Sequence, residues 1–231
     1  MNIGIIGAGA IGGTLARSLA KLGHRVSIAN ARGPETLRAL AAETGAKAVS
    51  VRNAANAGDV VILSIPQKAV PELPADLFAG VPSNVVVIDT GNYYPQLRDG
   101  RIAAIESGML ESQWVAEHLG RPVVKAFNNI VAKSLREKGA PAGSPGRIAL
   151  CVAGDAPEAR AVALRLLDEL GFDPVDAGPL DESWRQQPGS PAYCHDLDAA
   201  SLKRALAEAD RSRVAEYRRG REDYVRSSAG G

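Results

Sequence analysis

The chain has 231 residues, a formal net charge of +1 and an aromatic content of only 4%. This length allows one large hydrophobic core, and the balanced charge gives no reason to expect nucleic acid or an anionic membrane as a partner. No apolar run approaches the length of a membrane span, and a strand pattern begins at the second residue, so we expect a cytoplasmic protein without a signal peptide. Cys151 and Cys194 have neither a metal-like spacing nor the pattern of a disulfide framework, so we expect no metal site.

The first elements predict a site for a dinucleotide. A short apolar strand, Asn2–Ile6, leads into Gly-Ala-Gly-Ala-Ile-Gly at residues 7–12, and residues 10–22 have the apolar spacing of a helix. A glycine pattern between a strand and a helix is typical of dinucleotide binding, the alternative being a structural turn without a ligand. The first glycine permits the tight turn, the second lets the backbone approach a pyrophosphate, and the third lets the helix pack closely on the strand. The pyrophosphate would rest on the helix N-terminus, where unpaired N–H groups favour negative charge.

The end of the second predicted strand, Arg25–Ala29, indicates which dinucleotide is bound. An acidic residue at this place would bind the ribose 2′-hydroxyl and repel a 2′-phosphate. This chain has neutral Asn30 instead, and Arg32 follows two residues later with a planar guanidinium that can grip phosphate. The sequence therefore predicts NADP(H) rather than NAD(H), although a solvated loop arginine is the alternative for Arg32.

Strands and helices continue to alternate along the chain. This alternation predicts an α/β fold of the Rossmann type, a doubly wound and mostly parallel sheet in a single domain at residues 1–180. Residues 181–231 are predicted to form an irregular segment and a charged C-terminal helix from residue 201, with a frayed end at 227–231. Two irregular stretches, 91–108 and 178–196, are long enough that we expect them to have a function or to cover something. The remaining predictions are helices at 35–43, 53–57, 67–73 and 156–170, and strands at 46–50, 59–64, 85–89, 123–127, 148–153 and 173–176.

The residues that follow the strands are the candidates for the site, because ligands bind at the carboxyl ends of the strands in an open parallel sheet. Residues 64–66 would pass under the ribose and nicotinamide, and the polar residues at 90–92 and 128–129 can donate hydrogen bonds to the carboxamide or to a second ligand. Helix capping is the alternative for Asn129. The predicted cofactor-binding residues are Gly7, Gly9, Ala10, Ile11, Gly12, Asn30, Ala31, Arg32, Gly33, Ser64, Ile65, Pro66, Thr90, Gly91 and Asn129, and the candidate catalytic residues are Asn92, Asn128 and His195.

An obvious acid–base pair is missing from the sequence. No Lys/Asp or Ser-x-x-x-Tyr arrangement follows a predicted strand. Lys125 lies inside a strand, where its ammonium is expected to leave the sheet edge or to form a salt bridge, a catalytic role being the alternative. His195 lies in the second irregular stretch, either on the surface or as a proton donor. A site without a proton donor suits direct hydride transfer between two cofactors, which depends mainly on orientation.

Five segments, in this order, resemble the NADPH-dependent reductases of the deazaflavin coenzyme F420, and they are similar to the cytosolic reductase domain of the STEAP metalloreductases. The resemblance covers about residues 1–180. It implies a Rossmann domain, usually in a homodimer, with NADP(H) on the glycine loop. It also implies a deazaflavin F420 or flavin ring that faces the nicotinamide near the fourth to sixth strands and the segment after Pro179. The segments that carry it are residues 7–12, 30–32, 64–66, 124–130 and 176–180.

The chain also departs from that family pattern. Ala31 stands where the family often has Ser, and Asn128 and Asn129 stand where archaeal members have His-Thr. Segments 89–95 and 184–194 have no match in those members. Their aromatic residues either line the site of the second substrate or anchor the loops; they are Tyr93, Tyr94 and Trp184.

The sequence thus predicts an NADP(H)-dependent oxidoreductase that passes a hydride to a planar acceptor, a deazaflavin or a flavin. Two alternatives remain open at this point. One is an NADPH-dependent reductase of a small carbonyl or imine substrate, with His195 or Tyr93 as the proton donor. The other is a redox sensor that binds NADP(H) without turnover.

Overall fold

The computed structural model describes residues 1–229. Its centre is a parallel sheet of six strands in the order β3-β2-β1-β4-β5-β6, so the strand order reverses between β1 and β4. Ile5 of β1 lies between Ile28 of β2 and Ile62 of β4, and all three side chains are buried, as expected for short apolar strands covered on both faces. The strands are β1 (Asn2–Ile6), β2 (Arg25–Ala29), β3 (Lys47–Ala48), β4 (Val60–Leu63), β5 (Val86–Asp89) and β6 (Val124–Lys125).

Helices cover both faces of this sheet, which confirms the Rossmann-type α/β fold. On one face the buried Leu15 and Leu19 of α1 pack in the same core as Leu166 of α7. On the other face Trp114 and Val115 of α5 pack in a second core. The helices are α1 (Ala10–Lys21), α2 (Arg38–Thr44), α3 (Val51–Ala55), α4 (Ala103–Glu106), α5 (Glu111–Leu119), α6 (Ala132–Glu137), α7 (Pro157–Glu169), α8 (Ala199–Glu208) and α9 (Val214–Ala229).

The last two strands form a separate sheet, whereas the alternation of strands and helices predicts one sheet. β7 (Ala149–Val152) and β8 (Asp173–Asp176) pair with each other in parallel as a separate sheet. A single antiparallel bridge joins Ala153 to Lys125 at the end of β6. β6 is only two residues long, and shortly after it Phe127 turns the chain with a φ of 61°.

Three further predictions need correction. The helix predicted at 67–73 is the 3₁₀ helix Gln67–Glu72, which contains Pro71, a residue without an N–H donor. The charged C-terminal helix is two helices, because Ala209 is extended after α8 and breaks the run. The frayed end predicted at 227–231 is helical as far as Ala229, and residues 230–231 lie outside the described part of the chain. Within that part, none of the helices has the length and apolar character needed to cross a membrane.

The two irregular stretches contain short helical turns. A π-helical turn, Pro95–Asp99, and α4 lie within the first stretch, and the 3₁₀ helix Leu180–Gln186 lies within the second. Both stretches lie at the carboxyl side of the main sheet, because the first leaves β5 and the second is hydrogen-bonded to Asn128 and Asn129 after β6. The structure therefore has additional backbone on the side of the sheet where a Rossmann protein binds its ligands.

Candidate functional site

The glycine loop after β1 is tight enough to require glycine at two places. Gly7 has a φ of +110°, and its N–H donates to the Ala29 carbonyl at 2.8 Å. A Cβ on Gly7 would lie 2.0 Å from the Ser64 carbonyl oxygen, and a Cβ on Gly12 would lie 2.0 Å from the Gly7 carbonyl oxygen. The first glycine therefore permits the turn, and the third lets α1 approach the loop.

The N-terminus of α1 is open to an anion. Gly9 is its N-cap residue, no described side chain caps this end, and the first turn contains no acidic residue. A Cβ on Gly9 would meet no atom within 4 Å, so the space beside this backbone is open. Ala10 and Ile11 form the first turn, whose N–H groups have no helical partner. The geometry fits a pyrophosphate against the backbone.

A cleft of about 520 Å³ extends from the glycine loop between the ends of β1, β2 and β4. Its wall includes much of the predicted cofactor set together with residues that the sequence analysis missed. Two of the missed residues flank Gly7, and the others belong to α3 and to the segment after β4, for which the sequence indicated only that it follows residues 64–66. The predicted residues in the wall are Gly7, Gly9, Asn30, Ala31, Arg32, Ser64, Ile65 and Pro66, and the missed ones are Ile6, Ala8, Val51, Ala69, Glu72, Leu73 and Pro74.

The loop after β2 holds its arginine toward the cleft. The Asn30 side chain accepts from the Arg32 N–H at 2.9 Å and donates to the Thr36 hydroxyl at 2.9 Å. Gly33 turns the chain with a φ of +94°. The Arg32 guanidinium itself is exposed and has no carboxylate within 4 Å among residues 1–229. Asn30 thus shapes the loop, and Arg32 keeps a positive charge at the cleft wall.

The candidate donors at the ends of β5 and β6 are bonded to one another. Asn128 is 2% exposed. Its Nδ2 donates to Asn92 Oδ1 at 3.1 Å and to the Gln186 carbonyl at 2.7 Å. Gln186 returns a bond of 2.9 Å from its Nε2 to Asn128 Oδ1. This amide network joins the two irregular stretches, and Gln186 is a member that the sequence analysis did not identify.

The neighbouring predicted residues also point inward. Thr90 is buried with its hydroxyl 3.3 Å from the Leu63 carbonyl, and the Gly91 N–H donates to Asp89 Oδ1 at 2.8 Å. Asn129 is 4% exposed, with its Nδ2 directed at the Ala192 carbonyl at 3.5 Å. It is not a helix cap, because Val131 is the N-cap residue of α6.

His195 and the aromatic residues lie elsewhere than at the cleft wall. His195 is exposed and lines a different cavity beside α9. Tyr93 is fully buried, with its hydroxyl donating to Glu106 at 2.9 Å, and Trp184 is 4% exposed in a small core. These two are packed as loop anchors, and neither lines the glycine-loop cleft; a contact with a second substrate stays a prediction. Tyr94 is half-buried, and its hydroxyl lies 2.5 Å from the Tyr193 hydroxyl.

A buried ionic cluster lies behind the ends of β5 and β6. Lys125 is fully buried, with Nζ 3.1 Å from Asp89 and 4.0 Å from Glu111, so its predicted salt bridge is present. Glu111 is also fully buried, and Arg218 of α9 lies 3.8 Å from it. Burial raises the pKa of Glu111 to about 7, against the lowering effect of Lys125 and Arg218. Lys125 also donates to the Gly91 carbonyl, so the cluster supports the loop after β5.

Comparison with known proteins identifies relatives of this architecture. A family model described as NADP oxidoreductase, coenzyme F420-dependent, matches residues 2–93. The crystal structure of the hypothetical protein SMa0349 from Sinorhizobium meliloti is 34% identical, covers 85% of this chain and 95% of that one, and has a TM-score of 0.71. A proposed F420-dependent NADP-reductase from Arthrobacter sp. FB24 is 22% identical over 79% of this chain and 87% of that one, with a TM-score of 0.64, and is similar in fold.

The protein YjhV of Escherichia coli K12 is 53% identical over 66 residues, which are 29% of this chain and 48% of that protein. The match thus spans about half the length of this curated relative. The fold and the glycine-loop cleft define the class, a Rossmann-type α/β protein. Within that class, the chain belongs to the family of the coenzyme F420-dependent NADP oxidoreductases.

Proposed function

We propose that the protein binds NADP(H) in the glycine-loop cleft and passes a hydride between it and a planar acceptor, a deazaflavin or a flavin. The observation that carries the cofactor part is the unpaired Arg32 at the cleft wall, beside neutral Asn30. A 2′-phosphate would find a guanidinium there and no carboxylate at the end of β2. The open space beside Gly9 supports the same orientation, with the pyrophosphate on the N-terminus of α1.

The chain's own contribution is binding and orientation. The first turn of α1 would hold the pyrophosphate, the loop after β2 the 2′-phosphate, and residues 64–66 the ribose and nicotinamide. When bound, NADPH supplies a hydride, which is two electrons with one hydrogen nucleus. Asn92, which is half-buried at the end of β5, belongs to the amide network through which the two irregular stretches would position the acceptor.

The planar acceptor is favoured over a carbonyl or imine by the position of the candidate proton donors. Tyr93 is buried with its hydroxyl bonded to Glu106, and His195 lines a cavity that shares no residue with the cleft. An acceptor that accepts hydride through stacking and orientation makes fewer demands on such donors. A homodimer and a cytoplasmic location stay predictions.

Calorimetric titration with NADPH and NADH tests the cofactor assignment. Arg32→Ala should weaken NADPH binding by roughly 1.5–3 kcal/mol, as for a lost charged hydrogen bond, and leave NADH nearly unchanged. Arg38→Ala is the matched control, because Arg38 is exposed at the start of α2 and is not part of the cleft wall. Equal losses for both dinucleotides would contradict the 2′-phosphate assignment.

Measurement of NADPH oxidation with a panel of acceptors tests the proposed hydride transfer and its acceptor. NADPH oxidation with F420 or FMN would support the proposed reaction, whereas oxidation with ketones or imines alone would replace it by carbonyl or imine reduction. Tight NADPH binding with no acceptor reduced would identify a sensor instead.

A further inference from the structure

A second cavity, of about 280 Å³, lies between α9 and the loop that precedes α8. Tyr193 and His195 contribute from the loop, and Arg221 and Gly220 contribute from the helix. It shares no wall residue with the glycine-loop cleft, so it does not depend on the proposed cofactor site.

Arg221 differs from the other partly or fully buried arginines of the described chain in having neither a carboxylate nor a backbone carbonyl as a partner. Arg121, which also lacks a carboxylate, donates to the carbonyls of Val81 and Val85. Arg147 is paired with Asp168 and Asp173, and Arg218 with Glu106 and Glu111. Arg221 has no acidic group within 4 Å in the described chain, and its buried Nε has no hydrogen-bond partner. An unpaired guanidinium that has lost part of its hydration is costly unless an anion satisfies it.

The surroundings hold this guanidinium in place. It lies over two aromatic rings, with Cζ 5.5 Å from the centre of the Tyr193 ring and 5.3 Å from the centre of the Tyr224 ring. The Tyr193 hydroxyl is hydrogen-bonded to the Tyr94 hydroxyl, and burial raises the pKa of both, so both remain neutral. The stacked, planar geometry suits bidentate recognition of an oxyanion.

The acidic residue of the cavity is already engaged. Glu216 lines the wall, but its two oxygens accept from Arg213 at 2.7 and 2.9 Å. Gly220 leaves additional room, because a Cβ there would meet no atom within 4 Å. A glycine inside a helix costs up to about 1 kcal/mol relative to alanine, so the open space at this position is retained at some expense of helix stability.

We propose that this cavity binds a small oxyanion, a carboxylate or a phosphate group, on the Arg221 guanidinium, with His195 as a second donor. The cationic Arg221, the neutral Tyr193 and the paired Glu216 leave the cavity wall with an excess of positive charge. The ligand is inferred to be an oxyanion from the chemistry of these side chains.

Titration of the full chain with inorganic phosphate and with succinate tests the proposal, by calorimetry and by thermal unfolding at matched ionic strength in sodium chloride. At least one probe should bind saturably, and Arg221→Gln should weaken its binding about tenfold or more, as for a lost charged contact. Arg219→Gln is the control, since Arg219 is an exposed arginine on the same helix. The two probes distinguish a phosphate ligand from a carboxylate ligand.

Phosphate could also bind at the cofactor cleft, so Arg32→Ala is measured in parallel. A loss of binding in Arg32→Ala with none in Arg221→Gln would assign the anion to the cleft and overturn the proposal. Absence of saturable binding by both probes would also overturn it. Gly220→Leu gives a second check, because a larger side chain in the open space should block the probe while the thermal transition stays cooperative; unchanged binding in this variant would contradict the assigned location.

Discussion

Glu111 should make the stability of the fold depend on pH in an unusual direction. Its carboxyl is fully buried, with one oxygen accepting from the Tyr93 N–H at 3.1 Å and the other without a hydrogen bond. Because burial raises its pKa above 4.5, the folded protein binds the proton more tightly than the unfolded chain does. Stability from this group is therefore present at low pH and is lost as the pH rises through the folded pKa.

The size of the effect follows from the difference between the pKa of Glu111 in the folded protein and in the unfolded chain. At about 1.4 kcal/mol per pH unit, a pKa that rises from 4.5 to about 7 on folding costs on the order of 3 kcal/mol between those pH values. Glu111→Gln keeps the shape of the side chain and removes the titration. The stability of this variant relative to the wild type should therefore rise by about 3 kcal/mol between pH 4.5 and 7.5.

Urea unfolding followed by circular dichroism at half-unit pH steps measures this difference. Glu117→Gln is the control, because Glu117 is an exposed residue of the same helix. Its curve should stay parallel to that of the wild type. If the Glu111→Gln curve is parallel as well, the carboxyl does not titrate in this interval and the reasoning fails.

Three further substitutions test the fold and the site. Lys125→Met leaves Asp89 buried without its cation and should cost about 3–5 kcal/mol in urea unfolding, and a loss below about 1 kcal/mol would mean that the pair is dispensable. Gly9→Val should remove binding of both NADPH and NADH in calorimetry while the thermal transition persists, and retained affinity would exclude the glycine loop as the cradle. Gly189→Ala places a Cβ 1.9 Å from the Tyr217 carbonyl at a φ of +82°, so it should destabilise by more than about 1 kcal/mol and speed hydrogen exchange in α9. Exchange at the wild-type rate would show that α9 does not depend on this contact.

Local sequence pattern predicted the N-terminal half well, because its strands are apolar runs bounded by glycine or polar residues. β1 and β2 have the predicted bounds, and α1 ends one residue before its predicted end. The pairing of β7 with β8 in a separate sheet depends on contacts distant in sequence, including the bridge between Lys125 and Ala153. The alternation of strands and helices does not indicate whether β7 and β8 join the main sheet or pair separately.

The site was predictable where backbone geometry dictates the residue type. Gly7 and Gly12 are glycines because a Cβ would collide with carbonyl oxygens, and that constraint is visible in the motif. Asparagine carries no such information, because an amide can bond a ligand or another amide equally well. Asn128 has the second kind of partner, Gln186, which lies 58 residues away along the chain.

Charged residues of the C-terminal helix were the least predictable part, because a run rich in Arg and Glu suggests a solvated face. Glu222 is instead fully buried, and one of its oxygens accepts from the Gln96 N–H at 2.8 Å in the first irregular stretch. Arg218 reaches the buried Glu111, and Arg221 stacks on Tyr193 of the second stretch. Since α9 holds both stretches through ionic and polar contacts, a change in charge on this helix should alter the loops on the carboxyl side of the sheet.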